Sequence, residues 1–426
     1  MGVSVFFSTA AHSSEAMPTT GLAVGLAPAP LDLKVHHNFG LLAEGREPLP
    51  EKVSTFLTVA LGIWITDRLA RRQDAPDGWT RRLTVSCPAP GWNAALAELT
   101  PLVSFLTGDV WSLMARPEPA SLALPDPRVG AWHPDCICLF SGGLDSLAGA
   151  IDLLESGRRV LLVSHYDFGQ LAGCQNYLTD ALSQVYSRDR VQRWGFRVQF
   201  EAPELSLRSR SLLFVALGLA AASVWDSPLP LIIPENGWIS LNPPLTGNRL
   251  GSYSTRTTHP YFLKGLQDWL QAAAIHLPLH NPYQYLTKGE VLIHCRNQDL
   301  LRRLLPHSLS CAHPVASRWL KDRQGNCGYC YPCLVRRAAA HAAGWDDGRH
   351  YLVDVRQQPE VMAGRAKGAD WRSTLYCLQT WTKQPAPQRL LWQTGPLPVA
   401  LEEQQRLVGV VSRGVEEIKQ WVGKSK

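Results

Sequence analysis

A short apolar run that ends at paired glycines places the strongest constraint on this chain. Residues 136–140 read Cys-Ile-Cys-Leu-Phe, and Ser141-Gly142-Gly143-Leu144-Asp145-Ser146 follows before a helical pattern begins. This order predicts a buried strand, a tight turn that glycine tolerates, and a helix whose free N–H groups attract an anion. Ser141 and Ser146 add hydroxyl donors. We therefore predict that residues 141–146 form a phosphate-binding turn.

No lysine follows the second glycine, so the turn lacks the G-x-x-x-x-G-K-[ST] pattern of a Walker loop. Other groups or a metal ion must then balance the phosphate charge. Asp145 is a candidate metal ligand at this turn. An ordinary strand-to-helix turn rich in serine and glycine is the alternative interpretation.

Four cysteines form a second pattern. Cys327, Cys330 and Cys333 are separated by two-residue gaps, and Cys311 lies upstream with fifteen residues between it and Cys327. Four thiolates suit tetrahedral zinc, and a closed four-thiolate shell leaves no position for a reactive water. We predict a structural zinc site, with His313 as an alternative fourth ligand in place of Cys311. Disulfides would require an oxidising compartment.

Composition limits the class of protein. The chain has 426 residues and 45% hydrophobic content, so two or three subdomains with sizeable cores are expected. The net charge of +6 is compatible with a polyanionic ligand, and the basic pairs are scattered, so nucleic-acid binding is not favoured. The amino terminus lacks a basic secretory n-region, and no apolar stretch approaches bilayer length. We expect a cytoplasmic protein without a membrane partner.

Three regions emerge along the chain. Residues 1–130 show an α+β pattern, and five prolines between residues 117 and 134 indicate a linker. Residues 131–345 alternate apolar strands with helices, which predicts an α/β fold whose parallel sheet is covered by helices on both faces. Residues 346–426 form a mainly helical extension. Strands are expected at 136–140, 159–164, 196–200 and 229–233, and helices at 144–155, 171–186 and 209–225.

Ligands of parallel sheets bind beyond the carboxyl ends of the strands. The loops after Phe140, Val163 and Ile233 should therefore share one site. The last of them continues as Pro234-Glu235-Asn236-Gly237, and Thr258-His259 follows further on. Glu235 and Asn236 are candidates to recognise a heterocycle, and Thr258 and His259 to bind substrate or phosphates. Glu-Asn-Gly is also a common turn sequence.

The Ser-Gly-Gly-x-Asp-Ser string resembles the signature of the PP-loop ATP pyrophosphatases. Together with the Glu-Asn-Gly loop and the four cysteines, it makes residues 135–345 similar to the QueC family. That family converts 7-carboxy-7-deazaguanine to the 7-cyano compound with ATP. Arg210-Ser211-Leu212-Leu213 stands where the family has Arg-Asn-Leu-Leu, and one residue is missing between Glu235 and Asn236. Neither flanking region is explained by this resemblance.

The long amino-terminal region, the Arg208-Ser209-Arg210-Ser211 sequence and the Thr-Thr-His-Pro stretch look like the QatC proteins of bacterial antiphage operons. This resemblance implies a C–N bond-forming ligase that uses ATP, Mg²⁺ and Zn²⁺. It would activate a 7-deazaguanine carboxylate as an adenylate and transfer it to an amine of a partner protein from the same operon. In such a mechanism the turn holds the pyrophosphate end of ATP, Asp145 helps to hold Mg²⁺, and Arg210 or Lys288 neutralises phosphate charge. A plain surface role is the alternative for Lys288.

Three other functions remain open. A nitrile synthase of queuosine biosynthesis would use ammonia and need no partner. A tRNA-modifying PP-loop enzyme would carry a continuous basic stripe. A non-catalytic scaffold would bind zinc and nucleotide without turnover.

Overall fold

The first third of the chain forms a parallel five-stranded sheet in the computed structural model. The structure describes residues 3–9, 22–26, 32–128, 130–204, 207–246, 256–313, 325–365, 367–381 and 391–423. The first elements are β1 (Val3–Ser8), β2 (Leu22–Gly25), β3 (Leu33–Lys34), β4 (His36–His37), α1 (Glu51–Leu69), β5 (Arg82–Pro88), α2 (Asn93–Thr107) and β6 (Val110–Arg116). The sheet has the order β3-β2-β1-β5-β6.

Every strand pair in this first sheet is parallel. The α+β arrangement expected for residues 1–130 is therefore corrected to an α/β layer. Strands and helices are both present, as expected, but the direction of strand pairing depends on contacts between distant segments. The sequence pattern of single elements does not contain that information.

The second sheet contains the strand that leads into the predicted phosphate turn. Its elements are β7 (Cys136–Leu139), α3 (Leu144–Glu155), β8 (Val160–His165), α4 (Gly169–Tyr186), β9 (Val191–Phe196), β10 (Val198–Gln199), α5 (Arg210–Ser223) and β11 (Leu231–Ile232). Together with β12 (Leu279–His280), the order is β12-β11-β7-β8-β9 and all pairs are parallel. The short β10 pairs instead with β4. The predicted parallel α/β sheet is thus confirmed.

One predicted strand is displaced. The range expected at 196–200 holds the last residue of β9 (Val191–Phe196) and the short β10 (Val198–Gln199), and the prediction missed most of β9 because Gln192, Arg193 and Gly195 interrupt its apolar residues. Polar residues and glycine weaken the signal of a strand. The helix predicted at 144–155 has those bounds in the structure.

The remaining helices complete the region around the second sheet. They are α6 (Gly237–Leu241), α7 (Pro260–Ala272), α8 (Lys288–His294), α9 (Gln298–Leu304), α10 (Tyr331–Ala342), α11 (Pro359–Ala363), α12 (Ala369–Thr380) and α13 (Leu401–Gly423). Helix α8 begins with a capping box between Thr287 and Glu290. The long α13 packs against α6, α8 and α10.

Helix α5 lies between the two sheets. Its outer side packs on α1 and its inner side packs on β7, β8 and β11. Residues 212–223 of α5 are almost all buried and apolar, as are residues 53–65 of α1. A helix that is apolar on all sides requires partners on all sides. One continuous apolar core therefore extends from β1 to α7.

Two negative findings apply to the described residues. None of the helices in these ranges combines the length and apolar character needed to cross a bilayer. All ten cysteines are free thiols, so no disulfide connects any described segments.

Candidate active site

The predicted phosphate turn connects β7 to α3 and is anchored by a distant segment. Gly142 has a φ of +83°, which favours glycine. The Ser141 hydroxyl accepts a hydrogen bond from Gly143 N at 3.2 Å and lies 3.2 Å from the Ser146 hydroxyl. Ser310 Oγ accepts from Leu144 N at 3.1 Å, and Leu309 N donates to the Gly142 carbonyl at 2.8 Å. The segment just before Cys311 thus fixes the turn.

Asp145 is the centre of a buried polar cluster. Its Oδ2 accepts from Lys288 Nζ at 2.6 Å and from Asn236 Nδ2 at 2.8 Å. Burial opposes the charge of Asp145, but Lys288, Glu235 and Asn236 outweigh that effect and lower its pKa. Asp145 is consequently an ionised carboxylate. Its Oδ1 is buried and accepts no hydrogen bond from an N–H group of the described residues.

Glu235 is the neutral member of the same cluster. Burial, together with the Asp145 charge, raises the pKa of Glu235 well above its usual value. The protonated Glu235 therefore donates a hydrogen bond to the Asp145 carboxylate. The backbone of Glu235 is held by Asn281, whose Nδ2 donates to the Glu235 carbonyl at 2.9 Å. One ionised and one protonated carboxyl group thus face each other beside Lys288.

Arg210 opens helix α5 and is held by His165 at the end of β8. Its Nε donates to His165 Nδ1 at 3.2 Å, and its Nη2 donates to the His165 carbonyl at 2.8 Å. Burial and the Arg210 charge lower the pKa of His165 to about 4, so the ring is neutral at pH 7 and can accept this bond. Asp167 Oδ2 lies 3.4 Å from Arg210 Nε. Nη1 of Arg210 makes no hydrogen bond to the described residues.

Two adjoining cavities open between these groups. A polar cavity of about 290 Å³ is lined by the turn residues Ser141, Gly143, Leu144, Asp145 and Ser146, together with Glu235, Lys288 and Ser310. A more apolar cavity of about 400 Å³ is lined by Phe168, Leu171, Arg210, Phe214, Ile233 and Thr258. Ser141, Ser146, Glu235 and Cys311 line both. Together the two cavities offer hydroxyl, carboxyl and ammonium groups on one side and apolar side chains on the other.

The four predicted thiols converge beside these cavities. The Sγ atoms of Cys311, Cys327, Cys330 and Cys333 lie within 4.8 Å of one another. The Sγ–Sγ distance is 3.8 Å between Cys311 and Cys330 and 3.9 Å between Cys327 and Cys333. Zinc–thiolate bonds of about 2.3 Å place tetrahedral sulfurs at about this separation. The donor set therefore fits zinc, and the ring of His313 stacks on Tyr329 instead of joining the cluster.

Other predicted site residues have different surroundings. Asn236 is fully buried, and its Oδ1 caps α6 by accepting from Ile239 N at 3.0 Å. Gly237 leaves no room for a side chain, because an added Cβ would lie 2.1 Å from the Gln284 carbonyl oxygen. His259 is buried outside both cavities, where it caps α7 and bonds to Thr394. Thr258 lines the apolar cavity, and its hydroxyl lies 3.0 Å from that of Ser240.

Several residues of the site were not anticipated from the sequence. Ser310 supports the turn, His165 orients Arg210, and Phe168 and Phe214 line the apolar cavity. Buried Arg336 donates to Ser310 Oγ at 3.4 Å from behind the turn. The position of Ser310 directly before Cys311, a predicted metal ligand, was the available signal. The others occur in ordinary strand and helix patterns.

Fold and site together define the class of protein. A parallel sheet covered by helices, a strand–Ser-Gly-Gly–helix turn and a cluster of four cysteines constitute an α/β fold of the PP-loop type. Over 246 residues the chain is 26% identical to the 7-cyano-7-deazaguanine synthase of Novosphingobium aromaticivorans. That alignment covers 51% of this chain and 94% of the synthase. No family model matches the chain, and no solved structure matches it.

This distant similarity supports a QueC-like protein and points to ATP-dependent chemistry related to deazaguanine. About half of the chain lies outside the alignment. Helix α1 of the amino-terminal region packs on α5, and α13 packs on α6, α8 and α10.

Proposed function

We propose that this protein cleaves ATP to AMP and pyrophosphate and activates the carboxylate of a 7-deazaguanine, such as 7-carboxy-7-deazaguanine, as an adenylate. An amine then attacks the activated carbonyl and AMP leaves. The supporting observation is the pair of adjoining cavities, one lined by the phosphate turn and the other by aromatic and aliphatic side chains. Glu235 stands at their junction. A ring bound in the apolar cavity would therefore place its carboxylate next to the phosphates of ATP, at the junction beside Glu235.

The residues in and around the two cavities have distinct roles in this proposal. Ser141, Gly142, Gly143, Leu144 and Ser146 bind the pyrophosphate portion through N–H and hydroxyl groups. Lys288 and Arg210 balance the charge that develops on the phosphates, which is commonly worth several kcal/mol of transition-state stabilisation. Asp145 fits Mg²⁺, since it is an ionised carboxylate that lines the cavity beside the phosphate turn. Mg²⁺ would supply further charge neutralisation.

Protonated Glu235 is suited to recognise the heterocycle. Its single proton is directed at Asp145, so its oxygens remain available as acceptors for the N–H groups of a deazaguanine. Asn236 has an indirect role in this proposal, because its side chain already donates to Asp145 and caps the start of α6. Thr258 offers a further hydroxyl group in the apolar cavity. His259 lines neither cavity, and its role in this proposal is to cap α7.

The acceptor in this proposal is an amine of a partner protein, in a reaction that serves antiphage defence. The resemblance of the amino-terminal region and the Thr-Thr-His-Pro stretch to the QatC proteins supports this assignment. About half of the chain lies outside the alignment with the synthase, and these residues are available to contact a protein acceptor.

Synthesis of a nitrile is a second candidate function. The similar protein from Novosphingobium aromaticivorans is itself named a 7-cyano-7-deazaguanine synthase. In that case ammonia replaces the protein amine, and the amide is dehydrated in a further ATP-dependent step.

The test is formation of AMP and pyrophosphate from ATP, Mg²⁺ and 7-carboxy-7-deazaguanine by the purified protein. Asp145→Asn should abolish it. Asp152→Asn is the matched control, because Asp152 lies two turns along the same helix and bonds Tyr283 outside both cavities. A mass increase on a supplied protein acceptor would select amine transfer, and release of the 7-cyano compound with ammonia would select nitrile synthesis. Absence of AMP under every condition would contradict both.

A further inference from the structure

The first turn of α5 is tied to a helix of the amino-terminal region. Asp67, near the end of α1, accepts two hydrogen bonds from Ser209, one from its N–H at 3.1 Å and one from its hydroxyl at 2.5 Å. Both residues are fully buried. Ser209 is the N-cap residue of α5, and its hydroxyl does not cap its own helix. Asp67 therefore satisfies the start of α5 from outside, where a negative charge also complements the helix dipole.

Asp67 is itself rigidly held. Its Oδ1 pairs with Arg81 Nη2 at 2.5 Å, and Arg81 also binds Asp109 at 2.7 Å and donates to the carbonyl of Ala70. Arg72 pairs with Asp109 at 2.8 Å. Two buried carboxylates and two buried guanidinium groups thus balance each other. A network of this kind fixes the position of each member, because unpaired charges are costly in the interior.

The same helix also contacts the other support of Arg210. Trp64 lies one turn before Asp67, and its ring packs edge-on against that of His165 with a centroid distance of 6.2 Å. His165 in turn accepts a hydrogen bond from Arg210 Nε. Trp64 and Asp67 share one face of α1, since residues three apart are neighbours on a helix. One face of α1 therefore contacts both Ser209, which precedes Arg210 at the start of α5, and His165, which binds the Arg210 side chain.

We propose that α1 is a positioning element for Arg210, with Asp67 acting through Ser209 and Trp64 acting through His165. This gives the amino-terminal region a role in the reaction and rests on the function proposed above. Ser209, Asp67 and Trp64 are positioning residues, since none of them lines the two cavities. Displacement of a charged group by about 1 Å can reduce a rate on the order of 100-fold, so such support has a measurable effect.

The decisive experiment is a double-mutant cycle between Ser209→Ala and Arg210→Ala, with kcat and KM for ATP measured by AMP formation. Ser209→Ala alone should lower kcat/KM about tenfold or more, and it should have little effect in the Arg210→Ala background, since coupled residues are not additive. Ser223→Ala is the control, because Ser223 lies at the other end of α5 and its hydroxyl bonds only within the helix. Additive losses from Ser209→Ala and Arg210→Ala would overturn the proposal.

A second measurement separates this inference from the proposed reaction. The Nε–H proton of Arg210, assigned by comparison with Arg210→Lys in arginine-labelled protein, should exchange slowly in the wild type. Exchange should accelerate in Ser209→Ala and in Trp64→Phe but not in Ser223→Ala. Unchanged exchange in both variants would refute positioning by α1. Slow exchange in a wild-type protein that forms no AMP would instead refute the proposed reaction alone.

Discussion

Lys288 Nζ lies 2.6 Å from Asp145 Oδ2, and the two side chains are only 5% and 6% exposed. This ion pair joins the first turn of α3 to the first turn of α8, across 143 residues of sequence. A buried charge that loses its partner is strongly destabilising, whereas removal of both charges often is not. The ion pair should therefore contribute to both the stability and the activity of the protein. Single and double variants of the two residues should separate these contributions.

Lys288→Met should lower the free energy of unfolding by about 3 kcal/mol, because it leaves Asp145 buried without its cation. The double variant Asp145→Asn with Lys288→Met should regain most of that loss, yet it should form no AMP. Urea unfolding and the AMP assay measure the two effects. Full activity of the double variant would show that neither charge participates in the reaction.

Glu235→Gln should preserve the fold, because the amide stays neutral and can donate to Asp145 as the protonated acid does. Recognition of the heterocycle should suffer, since an amide presents a different donor and acceptor pattern. We expect kcat/KM for the deazaguanine acid to fall about 100-fold while the Kd for ATP stays nearly constant. A larger loss of ATP affinity than of kcat/KM for the acid would place Glu235 on the nucleotide instead.

Cys333→Ala should remove bound zinc, lower the unfolding temperature and abolish AMP formation. The physical reason is that Cys311 lines both cavities and Ser310 holds Leu144 N, so release of this segment loosens the phosphate turn. Metal analysis, thermal unfolding and the AMP assay check each effect. Cys377→Ala removes another buried thiol away from the cluster and should retain zinc. Equal zinc content in both variants would contradict the four-thiolate site.

Glu417 on α13 predicts a pH dependence of stability. It accepts hydrogen bonds from Thr287 and from Gly289 N, but burial is the dominant effect and raises its pKa from 4.5 to about 7. Nearby Glu290 raises this pKa further and Arg413 opposes the rise. Because the folded-state pKa exceeds the unfolded value, the contribution of Glu417 is complete below pH 4.5 and is lost as the pH rises through about 7.

Glu417→Gln should accordingly gain stability relative to the wild type between pH 5 and pH 8, by about 2 kcal/mol given the partial exposure of the side chain. Glu416→Gln changes an exposed neighbour and should show no such trend. Denaturant unfolding of the three proteins across this range tests the expectation. An identical pH profile for wild type and Glu417→Gln would exclude a titration of Glu417 near pH 7.

Helix α3 and the cluster of cysteines could be predicted, because both follow from short stretches of sequence. The bounds of α3 follow from the paired glycines before it and from Ser156-Gly157 after it, and the close spacing of three cysteines predicts that they meet. Such signals depend on neighbouring residues alone. They locate the phosphate turn and the thiol cluster without knowledge of the rest of the chain.

Long-range relationships were less accessible. The parallel pairing of β1 with β2 and β5, and the burial of α5 beneath α1, depend on segments far apart in sequence. Asn236 and His259 illustrate a second difficulty. A polar residue just before a helix can bind a ligand or cap the helix, and the sequence is the same in both cases. Only the surrounding structure shows that both side chains cap helices.

The contact between Glu417 and the start of α8 has a consequence for protein synthesis. The two segments are separated by 130 residues, and the later one comes from the last helix of the described chain. During translation the phosphate turn and the thiols emerge before α13, so Thr287 and Gly289 at the start of α8 still lack their contact with Glu417. The start of α8 therefore gains this contact only after α13 has left the ribosome, and a premature stop before residue 401 yields a chain that retains the thiols and the phosphate turn without Glu417.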